Sequence, residues 1–247
     1  MSGLRTTAPA PLAPSGWAFP DAVAGDEHGL VGVGADLAPA TLVDAYRRGV
    51  FPWPHDSIDA VPWFSPPLRG VLPLDRLHVS RSLLRTLRRS AFSATLDDDF
   101  EAVVAGCREP RAYEDGTWIS DELASAYLDL HRLGHAHSVE IWDGARLVGG
   151  IYGVLVGGVF CGESMFHRVT DASKIALADL AARLNEARAG LLEVQHVTPH
   201  LRSLGAIEIP REVYAGLLEE LRDDELHLLR DRLPVARLAE PGALDIR

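Results

Sequence analysis

The chain has 247 residues, 47% hydrophobic and 24% charged, with no apolar run near the roughly 18 residues of a membrane span. Its formal net charge of −11 excludes bulk electrostatic attraction to nucleic acid, so any such contact requires a local basic patch. The two cysteines, Cys107 and Cys161, lie far apart in sequence, which argues against a disulfide framework and fits a reducing cytoplasm.

Residues 1–69 are predicted to form a flexible leader and a small N-terminal domain. The first 28 residues are rich in alanine and proline and lack the apolar core of a secretion signal. Apolar side chains at helical spacing over 37–49 predict a helix that ends at Gly49. The segment 50–70 contains five prolines, which exclude a regular helix or a central strand. It is interpreted as a rigid connector, with the domain boundary near its end.

Residues 70–247 are predicted to form a larger domain of mixed helices and strands. Ser80 and Ser120 are candidate N-caps of two short helices, and the Asp143–Gly144 turn is typical of a hairpin. The predicted segments in chain order are helices at 80–90 and 119–134, strands at 137–142 and 145–164, a helix at 172–188, a strand at 191–197, a short helix at 199–204, a strand at 206–209, and terminal helices within 211–233.

Two of the predicted strands end in polar side chains. Because side chains alternate along a strand, the predicted shared faces are Cys161, Glu163 and Met165 in one strand and Glu193, Gln195 and Val197 in the other. An unpartnered buried carboxylate is costly, so acids at the ends of apolar strands predict a reaction centre. The alternative is structural: Glu163 caps the following helix or meets an arginine, and Gln195 is a satisfied amide at a sheet edge.

The helix predicted at 80–90 carries a basic stripe on an otherwise acidic protein. At about 100° per residue, one side of this helix presents four arginines, Arg81, Arg85, Arg88 and Arg89. Leu83, Leu84 and Leu87 occupy the opposite side and would anchor the helix to the core. Arginines without interleaved acids suit phosphate groups, which guanidinium groups bind bidentately. The alternative is a solvated charged face.

Loop tryptophans are further candidates for contact with a nucleobase, and they are Trp53, Trp63 and Trp118. An indole presented from a loop can stack on a base, at about 1–3 kcal/mol per stack. Alternatively, each indole fills a hydrophobic gap. No metal site is predicted, because His131, His135 and His137 straddle a helix end and lack a fourth ligand. Cys161 is interpreted as a core thiol.

Short runs spread over about residues 28–222 recur in one known family. They are "GLVGVGADL", "AYRRGVFPW", "WFSPPLRGVL", "LHVSRS", "GTWIS", "LHRLGHAHSVE", "LVGGIYGV", "FCGESMF", "ASK", "VQ" and "SLGAIEIPR". In these runs the sequence resembles the bacterial leucyl/phenylalanyl-tRNA–protein transferases. The resemblance implies an α+β fold, in which a small N-terminal domain (1–69) precedes a larger N-acetyltransferase-like domain with a mixed sheet (70–247).

The resemblance also implies an activity. Members of the family move leucine, phenylalanine or sometimes methionine from aminoacyl-tRNA to proteins that begin with arginine or lysine, and the product is marked for degradation by the N-end rule. The tRNA ester is already activated, so no cofactor, metal or covalent enzyme intermediate is required. A cytoplasmic monomer without membrane attachment is expected.

Matching positions suggest a binding pocket. Trp53 and Trp118 would contact the terminal adenosine and the aminoacyl group, and the basic stripe would hold acceptor-stem phosphates. Phe160 and Met165 would line the pocket for the transferred side chain. Since strict alternation puts Phe160 and Met165 on opposite faces of the strand, a shared pocket requires a bulge near Gly162.

Matching positions also suggest the reacting groups. Glu193 and Gln195 would orient and deprotonate the attacking α-amino group, whose ordinary pKa is about 7.7–8.0. Glu163 would hold the amine or the basic side chain of the acceptor. Family members usually carry aspartate where this chain has Glu193, and the extra methylene moves the carboxylate by about an ångström.

Two alternative functions remain open. An acetyl-CoA-dependent N-acetyltransferase would share the fold, but it requires a glycine-rich loop that binds pyrophosphate at a helix start, and 163–174 contains none. A non-catalytic adaptor for tRNA ends or basic N-termini would keep the arginines and aromatics. It would have no need of Glu163, Glu193 and Gln195 together.

Overall fold

The structure is a computed structural model that describes residues 3–54, 60–110 and 118–244. Its strands and helices in chain order are β1 Leu30–Val33, α1 Pro39–Arg47, β2 Phe51–Pro52, β3 Pro62–Phe64, β4 Leu68–Leu72, α2 Arg81–Arg89, β5 Ser93–Leu96, α3 Phe100–Arg108, α4 Asp121–Arg132, β6 Ala136–Asp143, β7 Arg146–Val156, β8 Val159–His167, α5 Ala172–Glu186, β9 Leu191–Gln195, α6 Pro199–Ser203, β10 Ile207–Pro210, α7 Arg211–Leu221 and β11 Leu233–Pro234. Short 3₁₀ turns occur at Ala22–Ala24, Leu74–Arg76 and Val235–Ala239.

Eight strands form one mixed sheet in the order β10-β4-β9-β8-β7-β6-β5-β11. Neighbours in this sheet are antiparallel except β8 and β9, which are parallel. A second sheet has three strands in the order β1-β3-β2 and, together with α1, forms a small N-terminal domain. The predicted α+β class with a small N-terminal domain is confirmed.

Local sequence signals set several helix ends as predicted. The hydroxyls of Ser80 and Ser120 accept hydrogen bonds from the backbone N–H groups of Leu83 (3.2 Å) and Leu123 (3.1 Å). Gly49 follows α1 with φ +75°, a left-handed conformation that glycine adopts without strain. These caps explain why α1, α2 and α4 lie close to their predicted positions.

Helices cover both faces of the large sheet. α1, α3, α4 and α7 pack on one face, and α5 and α2 pack on the other. The 3₁₀ turns at 74–76 and 235–239 cover the outer side of α5, so even its charged residues are buried. There Asp179 accepts hydrogen bonds from Arg183 (2.6 Å) and Arg237 (2.5 Å), which balances the buried charge.

The two ends of the described chain lie against each other. The backbone N–H of Thr6 donates to the carbonyl of Leu228 (2.9 Å), although the leader is predicted to be flexible.

The prediction of further helix within 211–233 is wrong beyond α7, because residues 224–232 form irregular chain. Acidic side chains at 223–225 disfavour continuation, since they oppose the dipole at the helix C-terminus. Among the described residues no helix is long and apolar enough to cross a bilayer.

β8 and β9 pair over a short stretch, Val159–Cys161 against Leu191–Glu193. Beyond it β8 continues to His167, whereas β9 ends at Gln195. The two neighbouring strands therefore separate. We call the space beyond the last pair, where Glu163 and Gln195 lie, the β8–β9 gap.

A bulge interrupts β8 within this gap. Ser164 pairs with Tyr152 of β7, and Gly162 pairs with Gly153, so Glu163 is one extra residue between the two pairs. The bulge that a shared pocket required near Gly162 is present. The Glu163 side chain lies on the α1 and α4 side of the sheet, and the bulge moves Met165 to the other side.

Two predicted face assignments were wrong because strict alternation ignores such irregularities. Met165 packs with Phe160 in the apolar cluster on the α5 side of the sheet, not beside Glu163. Val197 also packs on the α5 side, away from the acids. The cause there is Gln195, whose left-handed φ of +57° ends the regular alternation of β9.

Candidate functional site

A closed group of hydroxyls surrounds Glu163 in the β8–β9 gap. The hydroxyl of Tyr46 in α1 lies 2.7 Å from Oε1 of Glu163, and the hydroxyl of Tyr127 in α4 lies 2.8 Å from Oε2, each a hydrogen-bond distance. The two tyrosine oxygens lie 2.8 Å apart. Gln195 donates from Nε2 to Oε1 of Glu163 (2.9 Å). With 9% of its surface exposed, Glu163 is the point at which four elements meet.

Burial sets the protonation chemistry of this group. It raises the pKa of Glu163 to about 7, outweighing the hydrogen bonds from Tyr46 and Tyr127, and the neighbouring charge of Glu193 raises it further. Burial also raises the pKa of both tyrosines well above the usual value, so their hydroxyls keep their protons. A carboxyl group that titrates near neutral pH can take up and release a proton during a reaction.

We expect Glu163→Gln to remove a pH-dependent part of the stability. The pKa of Glu163 is about 7 in the folded protein and about 4.5 in the unfolded chain, so the folded state holds more protons between these values. The free energy of unfolding therefore falls as pH rises through this window, by about 3 kcal/mol from this carboxyl group. Denaturant unfolding at pH 5 and pH 7.5 measures the loss.

Glu140→Gln is the matched control for that measurement. Glu140 is a second fully buried acid, whose pKa burial also raises to about 7. In each single variant, the free energy of unfolding is expected to lose the part of its pH dependence that comes from the replaced carboxyl group. The expectation for Glu163 fails if Glu163→Gln shows the full dependence of the parent chain.

Glu193 is buried beside a matching charge. Arg69 of β4 donates from Nε to Oε1 of Glu193 (2.7 Å), and both side chains are almost fully buried. The guanidinium group lies over the rings of Phe51 (4.8 Å) and Tyr214 (4.5 Å). It also donates to the carbonyl oxygen of Gly49 (2.8 Å). Glu193 is therefore a paired carboxylate, and its arginine partner is held from both sides, by Gly49 and Phe51 and by Tyr214 of α7.

Gln195 connects the two acids. Its backbone N–H donates to Oε1 of Glu193, and its side chain donates to Glu163. Glutamine rarely adopts a φ of +57°, so the bond to Glu193 holds a conformation that costs free energy. The structure thus brings the predicted residues Glu163, Glu193 and Gln195 together.

The three predicted loop tryptophans lie in different environments. Trp53 is 39% exposed, and its ring centroid lies 5.0 Å from that of His196, the residue after Gln195. Trp118 is partly buried and packs against the core on the α1 and α4 side. Trp63 is only 1% exposed and packs in the core, which agrees with the alternative that its indole fills a hydrophobic gap.

Phe160 and Met165 lie across the sheet from the acids. Phe160 is 1% exposed within the α5-side cluster, and Met165 is partly buried against the same cluster. The acids face the opposite side, toward α1 and α4. Phe160 and Met165 are therefore separated from the acids by the sheet, on the strand next to β9.

The basic stripe lies on α2 as predicted. Leu83 and Leu87 are buried, while the four arginines are exposed and have no ion pair within the ranges that the structure describes. The hydroxyl of Thr86 donates to Asp171, which places α2 beside the start of α5. The stripe is thus on the same side of the sheet as Phe160 and Met165.

The three histidines near metal spacing have structural partners. His131 stacks on Phe100 with ring centroids 4.2 Å apart, and His137 lies 2.8 Å from a carboxylate oxygen of Asp97. His135 reaches the carbonyl of Ala10 in the leader. In the described ranges, no group of three His, Cys, Asp or Glu side chains is arranged to hold a metal ion.

Sequence reasoning missed Tyr46, Tyr127 and Arg69. The two tyrosines occupy apolar positions of predicted helices, where they resemble ordinary core aromatics. Arg69 is the second residue of β4, just after two prolines, and a lone arginine at the start of an apolar run was the available signal. Each of the three acts on a residue far away in the chain.

Comparison with known proteins gives one consistent family. The family model described as leucyl/phenylalanyl-tRNA protein transferase matches residues 71–219, and the model of its N-terminal domain matches residues 35–67. Leucyl/phenylalanyl-tRNA–protein transferase of Shewanella halifaxensis is 46% identical over 86% of this chain and 90% of its own length. The proteins of that name from Shewanella pealeana and Shewanella frigidimarina are 48% and 47% identical, over 82% and 84% of this chain and 86% and 88% of theirs. The chain belongs to the leucyl/phenylalanyl-tRNA–protein transferase family and is a transferase enzyme.

Proposed function

We propose that this enzyme moves leucine or phenylalanine, with methionine as a third donor, from aminoacyl-tRNA to the α-amino group of proteins that begin with arginine or lysine. In the cytoplasm this would mark them for degradation by the N-end rule. The observation that carries the proposal is the meeting of Glu163, Glu193 and Gln195 at the point where β8 and β9 separate. Membership of the family supports the same substrates.

The proposed reaction is direct aminolysis of the tRNA ester. The transferred side chain would lie against Phe160 and Met165, while Trp53 and Trp118 would contact the terminal adenosine. The acceptor amine would enter the β8–β9 gap at Gln195 and Glu163. A pocket that reads only apolar bulk separates close analogues by about 1–3 kcal/mol, which suits an enzyme with several donors.

Glu193 would act by holding Gln195 rather than by taking the proton of the amine. Its Oε1 already accepts hydrogen bonds from Arg69 and from the backbone of Gln195. An oxygen that accepts two hydrogen bonds has both of its lone pairs engaged. The side chain of Glu193 is one methylene longer than that of the usual aspartate, and it would serve this supporting role.

We further propose a division into an N-terminal part, 1–69, and an N-acetyltransferase-like part, 70–247, in a monomeric enzyme. The separate three-stranded sheet supports the division. The parallel pair β8 and β9, which separates after a short run, supports the likeness to N-acetyltransferases.

Arginine replacements on α2 test the proposed contact with tRNA phosphates. We expect Arg85→Gln with Arg88→Gln to weaken tRNA binding and to reduce the slope of log K against log salt by about 1.5, since each phosphate contact contributes about 0.7–0.9. Filter binding across a salt series measures the slope. The control, Arg48→Gln with Arg132→Gln, removes the same charge from α1 and α4. Equal slopes in the two double variants would refute the phosphate contact.

A transfer assay tests the function itself. The full chain is incubated with a peptide that begins with arginine and either labelled leucyl-tRNA or labelled acetyl-CoA. We expect leucine on the peptide's α-amino group, no acetyl group, and no product on a matched peptide that begins with aspartate. Acetylation would favour the N-acetyltransferase alternative, and tRNA binding without transfer would favour the adaptor.

A further inference from the structure

Three hydrogen-bond contacts join the Glu163 carboxyl group and two tyrosine hydroxyls in a closed ring. We use the name hydroxyl ring for the Glu163 carboxyl group with the hydroxyls of Tyr46 and Tyr127. Its three oxygen–oxygen contacts measure 2.7, 2.8 and 2.8 Å, each a hydrogen-bond distance. Each contact needs one proton between its two oxygens, so the ring as a whole needs three.

An ionised Glu163 leaves this ring one proton short. The two tyrosines supply two protons, and a carboxylate can only accept. If both hydroxyls donate to Glu163, the contact between the tyrosine oxygens places lone pairs against each other at 2.8 Å. A buried polar contact of this kind costs free energy.

A protonated Glu163 completes the ring. The carboxylic O–H donates from Oε2 to Tyr127, Tyr127 donates to Tyr46, and Tyr46 donates to Oε1. All three bonds then run in one direction round the ring, an arrangement in which hydrogen bonds strengthen one another. Gln195 adds a donor at Oε1, which still has a free lone pair for it.

We propose that Glu163 holds a proton in the resting enzyme, shared round this ring with Tyr46 and Tyr127, and that it donates this proton to the departing ribose oxygen during transfer. Tyr46 and Tyr127 are positioning residues, which act on the substrate only through Glu163. The donation step rests on the proposed function, whereas the resting state of the ring does not.

The other groups that face Glu163 are compatible with a neutral carboxyl group. Glu193 on β9 is negative, which disfavours a second negative charge nearby, and Arg69 already neutralises Glu193. Tyr152 on β7 and Cys161 on β8 are buried, and burial raises the pKa of each well above its usual value. No described cation contacts Glu163 directly.

The step balances without any further reactant. The amine nitrogen attacks the ester carbonyl and forms the C–N bond, and the C–O bond to the ribose breaks. The ribose oxygen leaves with the proton of Glu163. The nitrogen loses one proton to the resulting carboxylate, which restores the ring for the next turnover.

Infrared difference spectroscopy of the full chain tests the resting state directly. The sample carries ¹³C-glutamate in a Glu140→Gln background, which removes the other acid of raised pKa. At pH 6 we expect a carboxylic C=O band in the parent minus Glu163→Gln spectrum, and its loss at pH 8.5. Tyr46→Phe and Tyr127→Phe should each move this band to higher wavenumber, because fewer hydrogen bonds reach the carboxyl group.

Absence of that band at pH 6 would overturn the resting state, and so would a band that neither tyrosine variant moves. If Glu163→Gln does not fold, the shift of the carboxylic band in Tyr46→Phe and Tyr127→Phe still tests the resting state. Single-turnover leucine transfer against pH then tests donation: the parent should lose rate above pH 7, and Glu163→Gln should be about 10²-fold slower without that alkaline loss. An alkaline loss retained in Glu163→Gln would refute donation. A parent chain that transfers nothing would refute the function and leave the infrared result standing.

Discussion

Arg69→Met is expected to lower the free energy of unfolding by about 3–5 kcal/mol, because it leaves Glu193 as an uncompensated charge in a fully buried position. The methionine fills much of the space between Phe51 and Tyr214, so the loss reports mainly on charge. Denaturant unfolding of the parent chain and of the variant at one pH measures the loss.

Two further variants isolate the charge effect. In the double variant Arg69→Met with Glu193→Gln, no buried charge remains and the amide oxygen still accepts from Gln195, so most of the stability should return. Arg47→Met removes a more exposed ion pair, Arg47 with Asp223, and should cost less than about 1 kcal/mol. A double variant as unstable as Arg69→Met would show that packing, not charge, is responsible.

Gln195→Ala is expected to lower the single-turnover rate of leucine transfer by about 10²–10³, the usual effect of deleting one positioned donor at a reaction centre. It removes the side chain that reaches Glu163 and leaves the arginine stripe on α2, the proposed tRNA contact, untouched. The dissociation constant for tRNA should therefore change little. Rapid-quench transfer to a peptide that begins with arginine, together with filter binding, separates the two effects.

Gln195→Asn is the matched control for the backbone. Asparagine tolerates the left-handed φ of +57° better than alanine does, but its shorter side chain does not span the 2.9 Å hydrogen bond to Glu163. The Gln195→Asn variant should fold like the parent chain, and its rate of leucine transfer should be as low as that of Gln195→Ala. A rate close to that of the parent in either variant would remove the Gln195 side chain from the mechanism.

Residues close together in sequence could be interpreted without the structure. The caps at Ser80 and Ser120, the glycine after α1 and the basic stripe depend on contacts within one or two helical turns. The acids within the apolar runs of β8 and β9 also stood out, since a carboxylate among buried apolar residues is costly without a partner. In contrast, β5 and α3 were not predicted, although the Asp99 cap and the apolar residues at helical spacing within 100–107 were local signals for α3.

Irregular backbone is the reason why the side of the sheet was wrongly predicted for two side chains. One inserted residue at Glu163 and one left-handed residue at Gln195 are enough to move Met165 and Val197 to the other side of the sheet. Alternation assumes a regular period of two residues, and a single bulge shifts every later side chain. The resemblance to a family implied a bulge, but its effect on the acids required coordinates.

The sequence by itself determined the family, the fold class, the arginine stripe and the identity of the acids. Tertiary structure alone decided their chemistry: Tyr46 meets Glu163 across 117 positions, and Arg69 meets Glu193 across 124. The protonation of a carboxyl group depends on burial and on the donors and charges within a few ångströms. Those neighbours come from elements that only folding brings together, so no local pattern could reveal them.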